Sequence, residues 1–225
     1  MLAIILGLAM SLAHHFSYEL VQKLKHQHNK LLSFSAGISV TYLFLELLPY
    51  FSDGAATLGR QMFLFILIGF VSIHLAEKYI YFHFYKSKLR RELALENAAV
   101  SFIYHFLIGM LLVGFARDNP YEALLFFVPV FLHTTFQAIP LMISKSPLVR
   151  VILASSTLLG VIFSTFFYTE MSLFVQFALI GFVTGIFTYI VARHAVPPGR
   201  KGVPIYMIIG LLSYVLFQVI IRSII

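Results

Sequence analysis

The sequence predicts an all-α polytopic membrane protein, a single-domain bundle of about eight transmembrane helices. Three observations carry that prediction. Hydrophobic residues make up 60% of the 225 positions and charged residues 11%, and the mean hydropathy is +0.92. A soluble domain of this length could not bury so much apolar surface. The apolar residues fall into stretches of about the length a bilayer-spanning helix requires, roughly 20 residues. Finally, the basic residues are concentrated in alternate joints between those stretches.

Charged or Pro/Gly-rich joints divide the chain into spans at residues 2–20, 31–50, 62–85, 99–116, 122–143, 151–168, 171–192 and 203–221. The first has neither a basic start nor a small-x-small cleavage site, so it reads as a mature helix rather than a cleaved signal. The joint from Thr169 to Ser172 is short enough to force a helical hairpin.

The third joint is the most basic, with Lys78, Lys86, Lys88, Arg90 and Arg91. The first holds Lys23, Lys25 and Lys30, the fifth Lys145 and Arg150, and the seventh Arg193, Arg200 and Lys201. Odd-numbered joints therefore carry all the Lys and Arg residues except Arg60, Arg117 and Arg222. Cytoplasmic loops retain positive charge, so the odd joints are expected in the cytoplasm and both termini outside. The net charge of +7 is accordingly topological, and nucleic acid is not an expected partner.

The chain contains no cysteine, which removes disulfides, thiolate metal ligands and cysteine nucleophiles together. It carries no G-x-S-x-G, H-E-x-x-H or Gly-rich phosphate loop, and an enzyme is not expected.

The second and seventh spans read as an internal repeat. Phe34, Gly37, Ile38 and Pro49 recur at the same spacings as Phe182, Gly185, Ile186 and Pro197. The charge pattern gives the two spans opposite directions, so the repeat is inverted, and such repeats place a site near the membrane midplane. In this register Glu46 corresponds to His194.

Ionisable residues inside hydrocarbon are costly and are functional candidates by default. His105 lies near the middle of the fourth span and His133 about halfway along the fifth, with Gln137 one turn beyond it. The short Arg117–Tyr121 connection makes these spans antiparallel neighbours, bringing the histidines to similar depth. Imidazole is a good ligand for zinc and its first-row neighbours, so His105, His133 and Gln137 form a candidate metal site. Further candidates along a path are Glu46 towards the outer mouth, His194 towards the inner one, and His14, His15, Glu19, His74 and Glu77 on the inner side. Packing and interfacial hydrogen bonding are the alternative roles for these histidines.

Local motifs then resemble a known family. Ser33–Gly37 through Leu45–Pro49, Ala76–Lys78, His105–Gly114, His133–Gln137 and Gly181–Pro197 are similar to the second, third, fourth, fifth and seventh helices of the ZIP family of divalent metal transporters. The resemblance implies a 3+2+3 bundle with inverted three-helix units, here 1–85, 99–143 and 151–225. It implies transport of a divalent cation, zinc foremost, with iron or manganese as others, across the plasma membrane between the fourth and fifth helices. No permanent cofactor is expected; the partners are the bilayer, the metal ion and a candidate second copy packed through small residues such as Gly181 and Gly185. Phe106, Gly109, Phe136 and Gln137 stand where the family has Asn, an acid, Pro and Glu, and Arg193 lies beside His194. These departures strip negative charge from the site, so a transport-inactive sensor, a partner subunit or a carrier of another small solute is the alternative expectation.

Overall fold

The computed structural model describes residues 1–136, 147–167, 170–195 and 202–224, leaving the side chains at 86–87 and 194–195 undescribed. Within these residues the chain is an all-α bundle of eight helices with no strand. They are α1 (Leu2–Lys23), α2 (His28–Leu58), α3 (Phe63–His83), α4 (Lys86–Asp118), α5 (Pro120–Phe136), α6 (Pro147–Phe167), α7 (Leu173–Ile190, continued by a wide turn at Val191–Ala195) and α8 (Pro204–Ile224). All but α5 are long and apolar enough to cross a bilayer within their described residues. The chain is an integral membrane protein.

Two helices run past their expected ends. The third joint, expected as a loop, is the first three turns of α4. Its residues from Lys88 to Ala98 are almost all good helix formers. Ala94 is buried there with Leu153 of α6, and Ala98 and Val149 pack beside them. The second helix continues to Leu58 and stops at Gly59, whose φ of +105° lies in the left-handed region that glycine adopts without strain. A single 3₁₀ turn, Arg60–Met62, then leads into α3.

Prolines explain the other irregularities. Pro49 has no N–H and its ring crowds the carbonyl one turn earlier; the helix accommodates it by widening into a π turn at Leu43–Leu47. In the repeat register that places Phe34 on Phe182, this turn falls on Val191–Ala195, which is also a π turn. The inverted repeat is thus carried by backbone geometry as well as residue spacing. In α5, Pro129 cannot donate to the carbonyl of Leu125. That carbonyl accepts instead from the Tyr214 hydroxyl of α8, at 3.0 Å.

Packing does not follow chain order. Helices α1, α4, α5 and α6 pack on one another, as do α2, α3, α7 and α8, and the two groups meet where α5 touches α2 and α4 touches α3 and α7. Three pairs of helices cross so closely that their backbones touch, each through two glycines. A Cβ added to Gly37 would stand 2.1 Å from the Met207 carbonyl oxygen of α8, and one on Gly210 would stand 2.1 Å from that of Phe34. Gly69 and Gly185 make the same reciprocal contact between α3 and α7, and Gly109 and Gly160 between α4 and α6. Lipid is as apolar as leucine, so such close packing, rather than exclusion of water, drives helix association. Between the two groups lies an aromatic layer in which Tyr42 meets Phe126, Phe187 and Tyr214, and Tyr104 stacks on Phe187.

The contacts between α2 and α7 also give their relative direction. Tyr42 faces Phe187, whereas Tyr50 faces Phe177 and Phe51 lies on Gly181, so the two helices are antiparallel. This is the inverted relation that the charge pattern predicts.

Two measurements check this packing. Gly37→Leu or Gly185→Leu should each lower unfolding stability in bicelles by about 1–3 kcal/mol or more, because the clash is with backbone. Tyr214→Phe should cost about 1–3 kcal/mol by stranding the Leu125 carbonyl. The Tyr214→Phe loss should shrink in a Pro129→Ala background, where a helical N–H again reaches that oxygen.

Candidate functional site

The core site begins with His105 on α4. Its Nδ1 lies 2.7 Å from the carbonyl oxygen of Ser101, one turn earlier. A carbonyl can only accept, so Nδ1 carries the proton and a neutral imidazole presents a lone pair at Nε2. That lone pair faces the Thr134 hydroxyl of α5 at 2.9 Å. The same hydroxyl lies 2.8 Å from the Val130 carbonyl oxygen, to which it donates. One hydroxyl proton cannot fully serve both acceptors. His105 Nε2 is therefore an oriented and incompletely satisfied donor atom, the arrangement in which a histidine ligates a metal through one nitrogen while its backbone bond fixes the ring.

His14 of α1 joins this centre. Sequence reading puts it on an inner rim, but its ring stacks on that of His105, with centroids 4.4 Å apart and planes inclined by 26°. It is buried, and its Nδ1 has no hydrogen-bond partner among the described residues. Near-parallel rings cannot both direct an in-plane lone pair at one ion, so His14 in this conformation backs His105 rather than chelating with it. The contact across the α4/α5 seam runs from His105 to Thr134, the neighbour of His133. His133 is itself buried, with its ring edge-on to Phe187 of α7 at 6.2 Å. Among the described residues no three His, Asp or Glu side chains converge as a metal cage. Gln137, the third expected ligand, lies outside the described residues, and so does the side chain of His194.

The candidate carboxylates are held by arginines at the two ends of the bundle. Glu46, 5% exposed, accepts from Arg222 of α8 through both oxygens, Nε–Oε1 at 3.2 Å and Nη2–Oε2 at 2.5 Å. Arg222 Nη1 also lies 3.8 Å from Glu122 of α5. Glu77 of α3 accepts from the Tyr189 hydroxyl and from Arg193 of α7, the latter at 3.3 Å. Glu19 of α1 pairs with Arg150 of α6. His74 is half-buried and edge-on to Tyr189 at 5.9 Å, and His15 lies edge-on to Phe16 at 4.9 Å. Among the candidate ligands read from the sequence, His14 and His105 are brought into mutual contact.

Sequence reasoning missed Ser101, Thr134, Tyr214 and Arg222. Arg222 had a visible signal, as a lone basic residue at the end of an otherwise apolar helix. Ser101 had another, standing one helical turn before an intramembrane histidine.

No known protein family matches the chain, and no curated protein matches its sequence.

The tautomer can be observed directly. Nitrogen-15 NMR of labelled protein should show His105 with a protonated Nδ1 and a bare Nε2. In Thr134→Val the bare Nε2 should lose its hydrogen-bond shift while Nδ1 stays unchanged.

Proposed function

We propose that this protein is a ZIP-like carrier that moves a divalent metal cation across the membrane, along a path at the seam of α4 and α5. The observation that carries this reading is the His105 imidazole, oriented by the Ser101 carbonyl so that Nε2 points at Thr134 across that seam. Imidazole suits zinc and its first-row neighbours, whereas hard cations such as calcium require several oxygen ligands. His133 and Gln137 are the other ligands in this reading, with Gln137 the weaker. The two four-helix groups supply the parts that would rock against each other during alternating access.

A second reading has its own observation. Glu19, Glu46 and Glu77 are each committed to an arginine, which withdraws those three carboxylates from neutralising a cation at the central histidines. A neutral site binds a dication more weakly and releases it more readily, which suits a sensor or partner subunit as well as a carrier.

Uptake of zinc into proteoliposomes separates the two. A carrier should show uptake that falls at least about tenfold in the His105→Ala, His133→Ala double variant, the loss expected when both imidazole ligands are removed. Zinc binding without uptake would favour the sensor. Uptake that is absent, or indifferent to the double change, would overturn the carrier reading.

A further inference from the structure

The two wide turns of the inverted repeat each sit beside an ion pair. In α2 the π turn contains Glu46, which holds Arg222 of α8. In α7 the π turn contains Arg193, which holds Glu77 of α3. The helix partners are equivalent too. Helix α8 crosses α2 at Gly37 and Gly210, and α3 crosses α7 at Gly185 and Gly69, the residues that the repeat register superposes on α2 and α7. Each pair of helices is therefore pinned twice, by a glycine crossing and, about two turns further on, by an ion pair.

The polarity of the two ion pairs is reversed. The acid lies on α2 and the base on α8 at one end; the base lies on α7 and the acid on α3 at the other. Glu46 corresponds in register to His194 and Arg193 to Leu45, so neither pair is a copy of the other. A common position with unrelated residues is what a shared mechanical requirement produces, and inherited similarity alone does not explain it.

The two pairs face opposite ends of the path. Tyr42 meets Phe187 where α2 and α7 cross. Glu46 lies about one turn beyond Tyr42, and Arg193 nearly two turns beyond Phe187 in the antiparallel direction. At 1.5 Å per residue they stand roughly 15 Å apart along the bundle, on either side of the aromatic layer.

At the Glu46 end the pair also reaches across the boundary between the helix groups. Arg222 lies beside Glu122 of α5, and Tyr214, two turns earlier on α8, donates to the Leu125 carbonyl of α5. Any movement of α5 away from α8 must break both ties. At the Glu77 end, α3 and α7 border α4 of the other group. Glu77 is held there by Tyr189 and Arg193 of its own group.

We infer that Glu46–Arg222–Glu122 and Glu77–Arg193–Tyr189 are two charged latches of opposite polarity at the two ends of the path, the second bracing α3 and α7 against each other where they border α4. The first ties the two helix groups together directly and closes its end in this conformation. The inference rests on the proposed path, not on the identity of the cargo.

The absence of cysteine from the chain makes the test direct. A Thr134→Cys reporter is placed in the core, and its reaction with a small membrane-impermeant thiosulfonate is timed from each side of oriented vesicles without metal. Arg222→Gln should speed labelling from the Glu46 side by at least about fivefold, with no change from the other side. Glu77→Gln should do the converse. The exchanged pair Glu77→Arg with Arg193→Glu should restore slow labelling. If Arg222→Gln does not accumulate as folded protein, Glu122→Gln tests the same end while sparing the Glu46–Arg222 pair, and it should also speed labelling from that side. Labelling that rises from both sides together, that changes in none of these variants, or that stays fast after the charge exchange would overturn the latches. One-sided labelling without zinc uptake would leave them standing and remove only the cargo. Zinc uptake with unresponsive labelling would remove only the latches.

Discussion

Hydrocarbon offers no hydrogen bonds, so each backbone group that leaves the regular helical ladder must find a partner within the protein. The bundle is organised around that constraint. Pro129 frees a carbonyl in α5, and a tyrosine from a different helix supplies the missing donor. Pro49 disturbs α2, and the helix responds by widening its own turn. Serine and threonine hydroxyls return their protons to carbonyls one turn back, as Thr41 does to Gly37 and Thr184 to Ile180. Each local departure from the helix thereby becomes a contact between helices or a place where one can bend.

The same scarcity of polar partners shapes the electrostatics. Charges appear where two helices can neutralise each other, at the ends of the α2/α8, α3/α7 and α1/α6 pairs. The centre keeps imidazoles and hydroxyls, which need not carry charge. The His14–His105 stack and the Thr134 hydroxyl form a polar island between aromatic rings, including Tyr104 edge-on to His105 and Phe187 beside His133. In the proposed carrier, an island of that kind would take a cation transiently without holding it through a large electrostatic well.

Much of the fold was legible from the residues. The spans follow from apolar length, and the repeat of Phe34, Gly37 and Ile38 in Phe182, Gly185 and Ile186 is matched by antiparallel packing and equivalent wide turns. The helical extension of α4 was missed because its charges mark a joint even though its residues favour helix. The site was less legible for a physical reason. In a membrane helix the lipid-facing and buried faces are both apolar, so periodicity does not show which side chains point inward. Nothing local in the sequence distinguishes His14 from its neighbour His15, or shows that Thr134 meets His105. Those facts depend on how helices distant in sequence cross.

The three glycine crossings join α4 with α6, α3 with α7 and α2 with α8. Written along the chain these pairings nest like parentheses, the innermost closing first. During synthesis the α4 crossing can form once α6 emerges, that of α3 needs α7, and that of α2 needs α8. These crossings therefore close from the inside of the sequence outward. Until α8 is inserted, Gly37 and Glu46 lack the partners it brings, so α8 is the clasp that completes the α2 side of the bundle.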